Sequence, residues 1–314
     1  MGCDVPIIAA PMFLVSNEPM VVEASNNGAL GAAPSLNWRT PEAFDAALEK
    51  IEGGTNRPYA INLIVNKSNL RFEQDLEIVR KHKVPMVITS LGNPQKVIEV
   101  VHSYGGKVFC DVVDLKYALK VQEQGADGVV AVSIGAGGHA GNVSPLVLIP
   151  YLKEHLRIPV VAAGGIATGR QILAAMALGA DAVQIGTRFI ATTEAAVSQD
   201  YKDAILKAEP EDIVMTRRIS GTPAAVINTP YIQKIGLDLS PLEKFLRKYP
   251  VTAKYVKLFR YIRGTRSLED AAGKTTWKTV WSAGQGVGLI HDVKPTAEVV
   301  KTLVREYWDA RNAL

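Results

Sequence analysis

The residues best suited to chemistry in this chain are gathered in one heptapeptide, Gly135-Ala-Gly-Gly-His-Ala-Gly141. It follows the apolar run 128–134, which has the composition of a buried strand. A histidine set among glycines at a strand's end has little packing value. It can exchange protons near neutral pH, and its glycine neighbours let the backbone come close to a ligand. Two further apolar runs end in the same way, Val160-Val-Ala-Ala-Gly-Gly-Ile166 and Ala182-Val-Gln-Ile-Gly-Thr-Arg-Phe189. Glycine-bearing turns present backbone N–H groups to an anion. Gly164-Gly165 and Gly186-Thr187 therefore suit a phosphate, with the Thr187 hydroxyl as an added donor. His139 beside these turns points to proton transfer next to a phosphate-bearing cofactor.

Two amides lie inside apolar runs, Asn62 in Tyr59-Ala-Ile-Asn-Leu-Ile-Val65 and Gln184 in the run from 182. A buried amide must find partners. A neighbouring backbone would serve, and so would a heterocycle lying over the strand ends; sequence leaves both open. The loose match of Gly135-x-Gly137-x-x-Ala140 to a dinucleotide fingerprint is set aside, because it follows the sixth strand and the next strand ends Ala-Ala-Gly-Gly rather than in an acid. No His-x-x-x-His or carboxylate cluster suggests a metal, and no Gly-x-Ser-x-Gly suggests a hydrolase. His82, His102, His155 and His291 fall on presumed helices and surface loops. A second glycine-rich stretch, Ala283-Gly-Gln-Gly-Val-Gly-Leu289, follows Trp277 and Trp281. It suits a hinge, a close approach to a cofactor or a plain loop equally.

The elements that must position these residues alternate in type. Eight apolar runs, 6–12, 29–35, 59–65, 86–91, 107–113, 128–134, 159–166 and 182–189, are apolar throughout, as parallel strands buried on both faces are. Amphipathic segments at 41–51, 70–82, 94–104, 115–124, 145–155, 168–178 and 194–207 predict helices between and after them, the first opened by Thr40 as N-cap with Pro41 following. Gly125-Ala-Asp-Gly and Gly179-Ala-Asp-Ala repeat one helix-to-strand turn. Eight such units in about 208 residues predict a (β/α)₈ TIM barrel. A doubly wound open sheet is the rival, and it gives no reason for three glycine-rich strand ends in succession. From 210 to 280 the pattern changes to helical runs such as 242–249 and 252–262, with no strand series. The expected division is a barrel of 1–209 plus 281–314 and a small helical lid of 210–280, with a last helix at 295–312 returning to the barrel.

Composition limits the function classes. The chain has 314 residues, of which 47% are hydrophobic and 21% charged, enough for a large core and too apolar for long disorder. Cys3 and Cys110 are the only cysteines, which fits a reducing cytoplasm and excludes a disulfide framework. No apolar run approaches the ~20 residues of a membrane span, and the first residues lack the basic and apolar regions of a secretory leader. Residues 241–278 carry ten Lys/Arg against three Asp/Glu, while the rest of the chain has 25 basic and 28 acidic residues. All of the surplus positive charge thus lies in one segment, either a solvated helical face or a dock for an acidic partner.

Taken together these motifs resemble the nitronate monooxygenase family, formerly the 2-nitropropane dioxygenases. The resemblance runs nearly end to end, through Ala10-Pro11-Met12, Ile61-Asn62-Leu63, the stretch from Ala136 to Gly141, Ala163-Gly164-Gly165-Ile166, Gln184-Ile185-Gly186-Thr187-Arg188-Phe189 and 283–289. It implies an FMN-dependent (β/α)₈ oxidoreductase that converts alkyl nitronates and O₂ to carbonyl compounds and nitrite. It also implies FMN contacts from Ala10, Pro11, Met12, Asn62, Gly137, Gly138, Gly164, Gly165, Gln184, Ile185, Gly186 and Thr187, and it makes His139 the catalytic residue at the flavin's reactive edge. Val132 and Ser133 stand where many members carry a glutamine, and the first loop reads Phe13-Leu-Val-Ser16 rather than the commoner small residues; both departures bear on substrate choice. The same framework is similar to FMN- and NADH-dependent enoyl-acyl-carrier-protein reductases and some NADH:quinone reductases, for which the basic segment would suit an acidic carrier protein. The expected partners are a small-molecule substrate and O₂, with NADH use left open and neither nucleic acid nor membrane involved. A phosphate-ligand-binding barrel without catalysis would leave His139 unexplained.

Overall fold

The computed structural model describes residues 2–66, 69–219, 222–238 and 280–314. Eight parallel strands close into a barrel in sequence order: β1 (Ile7–Ala9), β2 (Leu30–Pro34), β3 (Tyr59–Ile64), β4 (Met86–Ser90), β5 (Lys107–Val112), β6 (Gly128–Val132), β7 (Val160–Ala163) and β8 (Ala182–Ile185). β8 closes on β1 with Ile8 opposite Gln184. Successive strand residues point to opposite faces, so a strand buried on both sides must be apolar at every position. Ile8, Leu30, Ala60, Ile88, Phe109, Val130, Val161 and Ala182, one from each strand, pack together inside the barrel. Their neighbours, such as Ile61, Val87, Val108 and Val129, face outward into the layer of helices.

That layer comprises α1 (Glu18–Asn26), α2 (Pro41–Gly54), α3 (Phe72–Lys81), α4 (Gln95–His102), α5 (Leu115–Glu123), α6 (Pro145–His155), α7 (Gly169–Ala177), the single turn α8 (Thr187–Ile190) and α9 (Gln199–Lys207). Thr40 caps α2 as expected, its hydroxyl accepting from the Ala43 N–H at 3.1 Å. α1 has no counterpart in the sequence reading, although its capping is regular: the Asn17 side chain accepts from the Met20 N–H at 3.0 Å, and Pro19 stands in the first turn. The eighth strand, expected over 182–189, stops at Ile185, because Gly186 turns the chain into α8. The helix expected from 194 starts at Gln199, because Glu194 is engaged elsewhere. Its carboxylate accepts from the N–H and hydroxyl of Thr296 at 2.9 and 2.8 Å.

Beyond the barrel, β9 (Ile213–Thr216) and β10 (Ala224–Ile227) form an antiparallel pair, followed by α10 (Pro230–Ile235). This amends the purely helical expectation for 210–280: two strands are present where none was expected. They were hard to read because each is only four residues long. The helical runs 242–249 and 252–262, Trp277 and the basic segment 241–278 lie outside the described residues. The last helix, α11 (Thr296–Asn312), returns to the barrel; the Glu306 carboxylate accepts from the Gly169 N–H at the start of α7 at 2.8 Å. Among the described residues no helix is long and apolar enough to cross a membrane, and no group of three or more His, Cys, Asp or Glu side chains is placed to hold a metal ion.

Candidate active site

Counting upward in twos from the interior layer leads to the carboxyl-end mouth of the barrel, where barrel enzymes keep their chemistry. Ala10 stands two residues beyond Ile8, Asn62 beyond Ala60, Ser90 beyond Ile88, Asp111 beyond Phe109, Gly165 beyond Ala163 and Gln184 beyond Ala182. The apolar interior thus ends in a row that is polar on several strands.

On the β3–β5 side, these side chains bond to one another. Asn62, 7% exposed, donates from Nδ2 to the Ile88 carbonyl at 3.0 Å and to Ser90 Oγ at 2.7 Å. Ser90 Oγ donates in turn to Asp111 Oδ2 at 2.5 Å. Asp111 Oδ1 is buried with no hydrogen-bond partner, and burial pushes the carboxyl up to about 6. Gln184 Oε1, on the opposite wall, is likewise buried without a partner. Asn62 and Gln184 were expected at the mouth; Ser90 and Asp111 were not. The available sign was their polarity within the apolar runs Met86-Val-Ile-Thr-Ser90 and Lys107-Val-Phe-Cys-Asp-Val112.

The β6–β8 side is built from backbone. The Gly135 carbonyl accepts from the Gly165 N–H at 3.0 Å and from the Gln285 N–H at 2.9 Å, joining three chain segments at one oxygen. Gly284 lies so close that a Cβ there would sit 2.3 Å from that oxygen. The Gly284 N–H donates to Thr187 Oγ1 at 2.9 Å. The 283–289 stretch is thus a crosspiece packed on the loops after β6, β7 and β8. Thr187 spends its oxygen on that crosspiece and keeps its O–H for another acceptor. Gly138 and Gly165 have φ of +66° and +71°, and a Cβ on either would meet nothing within 4 Å. Both face open space in a conformation that favours glycine.

His139 follows directly on a two-way bond between Gly138 and Ala225 of β10, with N–H to O distances of 3.0 and 2.7 Å. β10 is held in turn by the Ile227 N–H on the Trp281 carbonyl at 2.8 Å. The imidazole keeps solvent access, yet the surrounding protein desolvates it and lowers its pKa below the usual histidine value. At pH 7 it is mainly neutral, with one ring nitrogen able to accept a proton and the other able to donate a hydrogen bond.

The first loop completes the rim. The Ala10 N–H bonds the Ile185 carbonyl at 2.8 Å, and a Cβ on Gly186 would lie 3.6 Å from Met12 Sδ. Asn37 braces this loop, donating to the Met12 and Ser16 carbonyls at 3.0 and 2.7 Å and accepting from the Leu14 N–H at 2.8 Å. Ala10, Pro11, Met12, Gly186 and Thr187 therefore share one sector of the mouth, while Asn62 belongs to the other side with Ser90 and Asp111. Arg188, 7% exposed, turns away from the mouth; its guanidinium pairs with Asp292 Oδ1 at 2.7 Å and secures the chain after the crosspiece.

The chain is similar to known proteins over most of its length. The nitronate monooxygenase family profile matches residues 66–306. A probable nitronate monooxygenase of Staphylococcus saprophyticus is 28% identical, over 96% of this chain and 94% of its own length. Among solved structures, FabK from Thermotoga maritima superposes with a TM-score of 0.85 at 30% identity, covering 99% of this chain and 95% of that one. The nitroalkane oxidase from Streptomyces ansochromogenes superposes with a TM-score of 0.82 at 25% identity, covering 99% and 98%. A closed eight-stranded barrel with a histidine on the glycine loop after its sixth strand, matched over this much of its length, belongs to the nitronate monooxygenase family, a family of oxidoreductases.

Proposed function

We propose that the protein oxidises alkyl nitronates with O₂ to carbonyl compounds and nitrite, using FMN. The observation that carries this reading is His139, held neutral on a glycine loop at the barrel mouth beside the open backbone of Gly138 and Gly165. The residues present fit a flavin mononucleotide. Gly164, Gly165, Gly186 and Thr187 would hold the phosphate, since Gly165 leaves space and the Thr187 O–H remains to donate. Asn62, and Gln184 with its unpartnered Oε1, would meet the polar edges of the ring. Ala10, Pro11, Met12, Gly137, Gly138 and Ile185 would line the remainder.

When bound, the flavin supplies the electron chemistry. The chain's own residues do the rest. His139 accepts the α-proton of a neutral nitroalkane, or donates a hydrogen bond to the oxygen of a nitronate that is already anionic. The crosspiece 283–289 fixes the loop that carries it. Residues 210–280 are inferred to act as a lid on a barrel formed by 1–209 and 281–314, a reading supported by the bonds of β10 to Gly138.

The family resemblance to enoyl-acyl-carrier-protein reductases, together with the close superposition on FabK, supports NADH-dependent reduction of an acyl thioester as the second reading. Anaerobic mixing separates the two. Bleaching of the flavin by a nitronate alone is the expected result, and bleaching by NADH with no response to nitronate would overturn the first reading. The cofactor is checked by denaturation, which should release FMN and not FAD.

A further inference from the structure

Most polar groups at the mouth have a task in the reading above. Asp111 has none. It faces the barrel interior two residues above Phe109, its Oδ2 receives the Ser90 hydroxyl, and its Oδ1 is sealed from solvent with no donor. Through Ser90 it is in hydrogen-bond continuity with Asn62, which the flavin reading puts against the ring. A carboxyl left with one empty oxygen, linked to a residue that would hold a redox ring, has the capacity to take up a proton when negative charge arrives nearby.

We propose that Asp111 is a proton-coupled positioning residue that sets how readily a flavin held over Asn62 accepts electrons. This rests on the flavin reading of the site. With the ring oxidised, the Asp111 carboxylate opposes added negative charge. Were a reductant to deliver two electrons and one proton to the ring, leaving it singly negative, Asp111 would take up one proton from water by way of the half-buried Ser90 hydroxyl that donates to its Oδ2, so the negative charge would pass from carboxylate to ring and the local total would stay the same. Charges separated by several ångströms at protein-like dielectric interact strongly enough to shift such an equilibrium tenfold or more.

The surroundings isolate this carboxyl. From β4 it meets the neutral Ser90, and on β6 its register partner is Val130. The nearby titratable groups are Cys110 on its own strand, which burial pushes up to about 12, and Tyr117 of α5, which burial also pushes up. Both stay neutral from pH 5 to 8. Because the Asp111 carboxyl itself titrates near 6, it is mainly protonated at pH 5 and mainly ionised at pH 8. His139, whose pKa desolvation lowers, is common to the wild type and to the variants compared below.

The test is the midpoint potential of bound FMN, measured with dithionite and indicator dyes from pH 5 to 8, in the wild type and in Asp111→Asn. The two should agree at pH 5. At pH 8 the variant should favour reduced flavin by about tenfold, which is about 30 mV for a two-electron couple. Ser90→Ala removes a hydrogen bond that favours the carboxylate, so in that variant the Asp111 effect should set in at higher pH. Infrared difference spectra on reduction should show a carboxylic-acid C=O band in the wild type that is missing from Asp111→Asn. If FMN binds and Asp111→Asn tracks the wild type at every pH, the role of Asp111 is overturned while the flavin reading stands. If the wild type binds no FMN, the flavin reading falls, and this proposal with it. Should Asp111→Asn fail to fold, the shifted onset and the infrared band in Ser90→Ala decide in its place.

Discussion

The two sides of the barrel mouth are built by opposite means. On the β3–β5 side, Asn62, Ser90 and Asp111 rise from regular strands and bond to one another. On the β6–β8 side the strands end in glycines, and the surface is backbone, tied together at the Gly135 carbonyl. A strand holds its side chains rigidly, so it suits groups whose charge and direction matter. A glycine loop brings N–H groups near an anion but cannot hold itself in place. Here that support comes from a distant part of the chain, the crosspiece 283–289, and from β10. The comparison teaches that the first side depends on the chemistry of single side chains and the second on the absence of them.

The largest expected effect removes His139, the imidazole carried by the glycine side. His139→Ala should retain FMN and lose roughly 10²–10⁴ in turnover of a neutral nitroalkane, with a smaller loss on preformed nitronate. Stopped-flow reduction with each substrate checks this, and equal rates on both would remove His139 from the chemistry. The wild-type rate with the neutral substrate should rise with pH on an acid limb centred below the ordinary histidine value, because desolvation lowers the His139 pKa and the neutral form is the base.

Adding a side chain to the glycine side should break it. Gly284→Val would force a Cβ toward the Gly135 oxygen, 2.3 Å from its ideal position. Overpacking of this kind costs about 2–3 kcal/mol and should also weaken FMN binding, as read by urea unfolding and by fluorescence titration.

On the strand side, removing a charge should stabilise. The folded Asp111 carboxyl titrates near 6, above its unfolded value. The folded state therefore binds its proton more tightly, and the charged form penalises the fold at high pH. Asp111→Asn should unfold with about 3 kcal/mol more free energy than the wild type at pH 8, an advantage that fades as pH falls through 6 and vanishes below about 4. Equal stability at pH 8 would show that the carboxylate is better solvated than its burial indicates.

The smallest effect tests one bond of the crosspiece. Thr187→Val removes the acceptor of the Gly284 N–H and should cost about 1 kcal/mol of stability. FMN affinity should fall as well, since the same hydroxyl is read as a phosphate donor. A stability loss with unchanged affinity would confine Thr187 to the crosspiece.

The barrel was legible because parallel strands buried on both faces are apolar at every position, and the runs around Ile61, Val87 and Val129 are of that kind. Asn62 and Gln184 stood out in them as amides. Ser90 and Asp111 were equally visible to a count in twos, but a serine and an aspartate near a strand's end pass easily for the start of a loop. The short pair β9 and β10 was not legible: four residues hold too little periodicity, and their stability comes from pairing with each other and with Gly138. Nor could sequence give the meeting of Gly135 with Gln285, which joins residues 150 positions apart through backbone atoms that carry no residue identity.

That meeting has a consequence for synthesis. All eight barrel strands are complete once Ile185 has been made, yet the loop that carries His139 lacks one of its two tethers at Gly135 until Gln285 has emerged, a hundred residues later. A chain growing on the ribosome at about 5–20 residues per second therefore takes several seconds to pass from its last barrel strand to the residue that completes the mouth. The histidine reaches its final setting only late in translation, so partly made chains carry the scaffold before they carry the chemistry.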